Sequence, residues 1–238
     1  MAATMNTEPR QRRALVTGAS SGIGAAITER LLRDGWLVEG MSRSAPAIDH
    51  PNLRFTAADL MAPESVSAAL AALPPVDALV HAAGLMRVGK LGELAGDDAR
   101  TMWRLHVEAT TQLVEQVVPR MPDMAGGGGR IVLIGSRTAQ GAAGRSQYAA
   151  TKAAMVGLAR SWAIELAPRG ITVNVVAPGA TDTPMLKDPN RTGLPPKLPP
   201  IGRFIKPEEV AALTAFLLSD SAAAITGQQI LVCGGASL

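Results

Sequence analysis

Short apolar runs alternate with longer stretches of helical period from one end of this chain to the other, and few folds tolerate that pattern. The runs are ALVTG (14–18), WLVEGMS (36–42), NLRFTA (52–57), DALVHAA (77–83), RIVLIGS (130–136), ITVNVVA (171–177) and QQILVCG (228–234). Between most of them lie apolar residues at helical spacing, such as Ala26-Ile27, Leu31-Leu32 and, later, Leu158, Trp162 and Leu166. Strand, helix, strand repeated in this way predicts an α/β fold, a doubly wound seven-stranded parallel sheet with helices on both faces.

At 238 residues the chain is a normal size for one such domain. Gly126 to Gly129 read as a flexible turn entering a strand, not a linker, and no short-period repeat is present. The organisation expected is a mobile tail over 1–12 followed by a single domain over 13–238. Aromatic residues are only 3%, so the core is expected to be aliphatic. The one cysteine, Cys233, has no partner for an internal disulfide, and the arginine-bearing start lacks the apolar region of a signal peptide. Both features predict a cytosolic protein. No apolar stretch approaches the roughly 18 residues a spanning helix needs. The net charge of +3 is scattered and not interleaved with aromatic residues, which argues against nucleic acid as a partner. His50, His81 and His106 lie far apart with no ligand spacing, so no metal site is expected.

The segment LVTGASSGIG (15–24) follows the first strand. Its Gly18, Gly22 and Gly24 suit a tight turn where backbone approaches a pyrophosphate and a helix N-terminus offers free N–H groups. Ser20 and Ser21 add hydroxyl donors beside Ile23. A Rossmann-type dinucleotide site usually carries an acidic side chain at the tip of its second strand to bind the adenosine ribose. Here that tip reads Met41-Ser42-Arg43-Ser44, with no carboxylate; Glu39 lies inside the strand. Arg43 can pair with a 2′-phosphate, which predicts NADP(H) in preference to NAD(H).

TGASSGIG, the strand ending in HAAG (81–84), Ser136, the pair Tyr148 and Lys152, and APGATDT (177–183) occur in an order that resembles the short-chain dehydrogenase/reductase family. The likeness covers essentially the whole chain after the tail. It implies a nicotinamide-dependent oxidoreductase interconverting a carbonyl and a secondary alcohol. It also implies that Lys152 holds the nicotinamide ribose, that Asp59 and Leu60 flank the adenine, and that the Ala82-Ala83-Gly84 backbone lines a ribose. Pro178, Gly179, Thr181 and Thr183 would hold the carboxamide and a phosphate.

The chemistry has its own logic. Tyr148 is the only tyrosine, and Lys152 stands four places later, on the same face of a helix. A phenol with a pKa of ~10 exchanges protons poorly at neutral pH, and a nearby ammonium makes it a usable acid and base. Ser136 can donate a hydrogen bond to the oxygen where charge develops.

Two departures from the family pattern stand out. His81-Ala82-Ala83-Gly84 replaces a common Asn-Asn-Ala-Gly, a change expected at the level of packing. His106 falls where relatives usually place an asparagine thought to anchor a proton-relaying water, so His106 is carried as a fourth catalytic candidate, with a core histidine as the other reading. The proline-rich segment at about 186–204 resembles a substrate lid, hinged at Gly193 and Gly202, with Lys187, Arg191 and Lys197 as its basic residues. An apolar stripe of Ala154, Leu158, Trp162 and Leu166, together with the resemblance, predicts a homodimer or homotetramer. A redox sensor without turnover and a sugar-nucleotide epimerase are the rival functions. The intact Ser136, Tyr148 and Lys152 argue against the first, and the chain length against the second.

Overall fold

Seven strands form one all-parallel sheet in a computed structural model that describes residues 10–188 and 196–238. In chain order they are β1 (Arg13–Thr17), β2 (Leu37–Ser42), β3 (Leu53–Ala57), β4 (Ala78–His81), β5 (Arg130–Ile134), β6 (Thr172–Pro178) and β7 (Gln229–Val232). Their order across the sheet is β3-β2-β1-β4-β5-β6-β7, so the winding reverses between β1 and β4. At such a reversal, the loops leaving the carboxyl ends of neighbouring strands part and open a crevice.

Both faces of the inner strands β1, β4, β5 and β6 are buried, which is why they read as nearly unbroken apolar runs, whereas the edge strand β3 is largely exposed. Leu15, Leu79, Ile131, Leu133, Val173 and Val175 point into one core layer. Ala14, Val16, Ala78, Val80, Val132 and Val176, one position away, point into the other. The first layer is closed by helices α2 (Pro63–Ala71), α4 (Ala109–Val117) and α5 (Ser146–Leu166), and the second by α1 (Gly22–Arg33) and α6 (Pro207–Leu218). Each fully buried Leu or Ile contributes about 1.5–3 kcal/mol, so the two layers carry most of the fold's stability.

Several boundaries differ from the sequence reading for local reasons. Trp36 is not the first residue of β2, because its N–H closes the end of α1 on the Leu31 carbonyl at 3.0 Å. β4 ends at His81 and not at Ala83, whose N–H turns aside to the Thr17 hydroxyl at 3.3 Å. Arg10 to Arg12, expected within the mobile tail, are held by contacts to the domain. Residues 1–9 lie outside the described residues, but Arg12 stacks on Trp36 at 4.8 Å, Gln11 donates to the Gly35 carbonyl at 2.8 Å, and Arg10 pairs with Asp77. The turn at Gly126–Gly129 is fixed by a hydrogen bond from Gly128 N–H to the Asp123 carbonyl at 2.7 Å.

The helix before β5 is continuous but irregular. α3 (Gly96–Trp103) passes through a widened π turn over Arg104–Glu108 into α4. In α5 the side facing the sheet is Thr151, Lys152, Met155, Ala159 and Ala163. The stripe of Ala154, Leu158, Trp162 and Leu166 is half-buried, with Trp162 and Leu166 packed on the first core layer.

Candidate active site

A cleft of about 890 Å³ opens at the carboxyl ends of β1, β4, β5 and β6. One wall is the turn from β1 into α1. Gly18 has φ +69°, and a Cβ there would lie 2.8 Å from the Ala83 nitrogen; a Cβ on Gly24 would lie 2.1 Å from the Gly18 carbonyl oxygen. Neither position admits a side chain, so strand, turn and helix are drawn together with backbone facing the cleft. Ser21 is the N-cap of α1 but makes no side-chain capping bond, and no acidic residue occupies the first turn. The first N–H groups of α1 thus face the cleft without a capping or acidic side chain to occupy them. These features fit the pyrophosphate of a dinucleotide.

The opposite wall carries the polar side chains. Ser136 follows β5, and its Oγ accepts from the Thr138 N–H at 3.1 Å, which leaves its own proton to donate into the cleft. Tyr148 and Lys152 stand one turn apart on α5, 5% and 3% exposed respectively. Lys152 Nζ donates to the Ile134 carbonyl at 2.9 Å, touches Met155 Sδ at 3.4 Å and lies 5.9 Å from the centre of the Tyr148 ring. Burial lowers the Lys152 ammonium from 10.5 to about 7.

Of the residues picked out from the sequence, Gly18, Ser21, Ile23, Gly24, Ala82, Ala83, Gly84, Ser136, Tyr148, Lys152, Pro178, Gly179, Thr181 and Thr183 line this one cleft. Ser20, Ser42, Arg43, Asp59 and Leu60 do not line it. Arg43 is exposed at the tip of β2, next to Ser42, whose hydroxyl donates to the Ser44 carbonyl at 2.8 Å. Asp59 Oδ1 accepts from the Met61 N–H at 2.9 Å, and Leu60 is buried in the core. Glu39 is ion-paired with Arg13 at 3.3 Å and 5% exposed, so it is held away from the tip of its strand.

The two unusual histidines are fully buried behind the cleft. His81 Nδ1 meets the Thr17 hydroxyl at 2.9 Å, and burial, then Lys152, lowers its pKa to about 3. His106 sits in the π turn, its Nδ1 2.9 Å from Thr151 Oγ1 and its Nε2 accepting from the Leu85 N–H at 3.2 Å. Its ring meets Tyr148 edge-on, with centroids 5.7 Å apart and an interplanar angle of 80°. Burial, then Lys152 and His81, holds it well below the ordinary imidazole range.

The family model described as enoyl-(acyl carrier protein) reductase matches residues 18–237. The chain is 39% identical over 236 residues to the 3-oxoacyl-[acyl-carrier-protein] reductase FabG of Escherichia coli K12, spanning 93% of this chain and 96% of that protein. The chain belongs to the short-chain dehydrogenase/reductase family. It is therefore an NAD(P)-dependent oxidoreductase acting on CH–OH and carbonyl groups. Among solved structures, an actinorhodin polyketide ketoreductase with NADPH superposes with a TM-score of 0.85 at 30% identity, covering 95% of this chain and 97% of the other. A 3-ketoacyl-(acyl-carrier-protein) reductase from Brucella melitensis, complexed with NADH, gives 0.85 at 28% identity over 95% and 98%.

This family member brings further residues to the cleft that the sequence did not single out. Met86, Arg137, Arg145 and Met185 line it, as do Gly235 and Ala236 from beyond β7. The last two return only because β7 is the sheet's edge beside β6, which no local pattern reveals. In the proline-rich segment expected to form a lid, Lys197, Leu198 and Pro200 line the cleft, and Lys187 is paired with Asp182 at 3.1 Å. Arg191 and Gly193 lie outside the described residues. Among the described residues no helix is long and apolar enough to cross a membrane, and no group of three or more potential ligands could hold a metal.

Proposed function

We propose that this protein is an NADP(H)-dependent ketoreductase in which Tyr148 is the general acid and base. The observation that carries this reading is the meeting, in one cleft, of a Cβ-free anion cradle with a serine hydroxyl, a nearly buried phenol and a nearly buried lysine. The cofactor, when bound, supplies or accepts the hydride. Gly18, Ser21, Ile23 and Gly24 would hold its pyrophosphate, and the Ala82–Gly84 backbone, Lys152, Pro178, Gly179, Thr181 and Thr183 its nicotinamide half. In reduction the Tyr148 O–H delivers its proton to the carbonyl oxygen, and the Ser136 O–H donates a hydrogen bond to that oxygen as charge develops. Lys152, charged below about pH 7, favours the phenolate left behind. In oxidation the same groups work in reverse.

The preference for NADP(H) rests on the tip of β2, where Arg43 is exposed, no carboxylate stands, and Glu39 is committed to Arg13. Ser42 is its neighbour in that site, with Asp59 and Leu60 beyond it at the adenine and Ser20 beside the phosphates. The substrate is a small carbonyl compound or its alcohol, the setting is the cytosol, and the assembly is a homodimer or homotetramer. Light scattering that gave only 24.6 kDa particles would remove the last point.

Tyr148→Phe tests the central claim. It removes one oxygen and keeps the ring, so NADPH affinity should persist while turnover of a ketone panel falls by ~10²–10⁴. Retention of more than about a tenth of the original turnover would end the assignment.

A further inference from the structure

Two contacts fix the chemical state of His106 without reference to its titration. The Thr151 hydroxyl has a single proton, and it is committed to the Tyr148 carbonyl at 2.9 Å, since a carbonyl can only accept. The 2.9 Å contact between Thr151 Oγ1 and His106 Nδ1 therefore requires the proton on Nδ1. On the other side, the Leu85 backbone N–H can only donate, so His106 Nε2 must keep its lone pair. Both contacts specify the same species, a neutral imidazole protonated at Nδ1.

The hydrogen bonds then run in one direction, from Leu85 N–H through the imidazole and the Thr151 hydroxyl to the carbonyl of Tyr148. That carbonyl is the one to which the helical i, i+4 rule assigns the N–H of Lys152. The chain's starting point is the loop that follows the Ala82–Gly84 wall. The fit around the ring is tight: a Cβ on Gly84 would lie 3.2 Å from His106 Nε2 and 3.7 Å from Lys152 Nζ. A second proton on the imidazole would set Nε2–H against the Leu85 N–H and add a cation beside Lys152 and His81; burial and those two groups outweigh the one Leu85 backbone contact that favours the charged ring.

We infer that His106 is a positioning residue: a permanently neutral imidazole that ties the loop after β4 to the Tyr148–Lys152 turn of α5 and carries no proton during turnover. This rests on the reading of Tyr148 as the acid and base, but the state of the imidazole can be measured apart from it. By this account the His106 imidazole is not a catalytic group, which favours the reading of a core histidine over that of a proton relay through its ring. The reason is that both ring nitrogens are already spent on fixed partners, one donating and one accepting.

With only three histidines in the chain, each ring can be assigned by ¹⁵N NMR of histidine-labelled protein and single-site variants. The His106 ring should show the neutral Nδ1–H pattern unchanged from about pH 6 to 9, with and without NADP⁺. Titration inside that window, or the Nε2–H tautomer, would overturn the inference whether or not the enzyme reduces ketones. Kinetics give the second arm. His106→Asn keeps a donor toward Thr151 and His106→Gln an acceptor toward Leu85, and neither amide titrates. Each should hold kcat within about tenfold of the parent, with its pH profile in place, whereas His106→Ala should lose about a hundredfold in kcat with a smaller change in KM. Amide variants as inactive as the alanine variant, or an ionisation missing from their profiles, would count against the positioning role.

Discussion

Replacing Lys152 by methionine should make the protein more stable and nearly inactive. The drop of the Lys152 ammonium from 10.5 to about 7 has burial as its cause. At ~1.4 kcal/mol per pH unit, that corresponds to about 5 kcal/mol of penalty for holding the charge in the folded protein. At pH 6 the lysine is charged in both states, and the whole penalty acts against folding. Between about 7 and 10.5 the folded state has released the proton while the unfolded chain keeps it. The unfolded chain then binds more protons, so stability rises with pH, and at pH 9 only about 2 kcal/mol of penalty is left. Methionine fills the same volume and removes the ionisation, but it leaves the Ile134 carbonyl without its donor at a cost of about 1–3 kcal/mol. The net gain should be roughly 2–4 kcal/mol at pH 6 and within about 1 kcal/mol of zero at pH 9. Urea unfolding of both proteins at the two pH values, at one protein concentration, measures this directly. A variant less stable than the parent at pH 6, or a difference that does not change with pH, would show that Lys152 is not held as a buried cation.

Gly18→Ala puts a Cβ 2.8 Å from the Ala83 nitrogen at a residue with φ +69°. It should weaken NADPH binding by tenfold or more in a fluorescence titration, and an unchanged Kd would remove the cradle from the cofactor site. Arg43→Ala combined with Ser42→Asp should move preference from NADPH toward NADH by about 10–100-fold, the worth of one charged hydrogen bond. A parent enzyme that already binds NADH more tightly than NADPH would refute the reading of the β2 tip. The parent's kcat/KM for ketone reduction should decline as pH rises through about 7, where Lys152 loses its charge. A flat profile from pH 6 to 8 would separate Lys152 from the proton-transfer step.

The sequence by itself determined the sheet, because strand and helix periods are local and the apolar runs of the inner strands need both faces covered wherever they sit. It also determined the Tyr148–Lys152 pair, since a spacing of four on a helix sets two side chains on one face before any packing occurs. The glycines after β1 were legible for the same reason: a turn that excludes a Cβ announces itself by residue type. The tertiary structure alone decided what surrounds those residues. Leu85, His106 and Thr151 are scattered over 67 positions of sequence and meet only because α3, the π turn and α5 pack together beside β4. Whether an imidazole there is an acid or a strut depends on which neighbours donate and which accept. The burial of Lys152, the diversion of Glu39 to Arg13, and the return of Gly235 to the cleft likewise depend on neighbours distant in sequence. Period and spacing are properties of a segment; desolvation and hydrogen-bond direction are properties of an environment, and that environment exists only once the chain has folded.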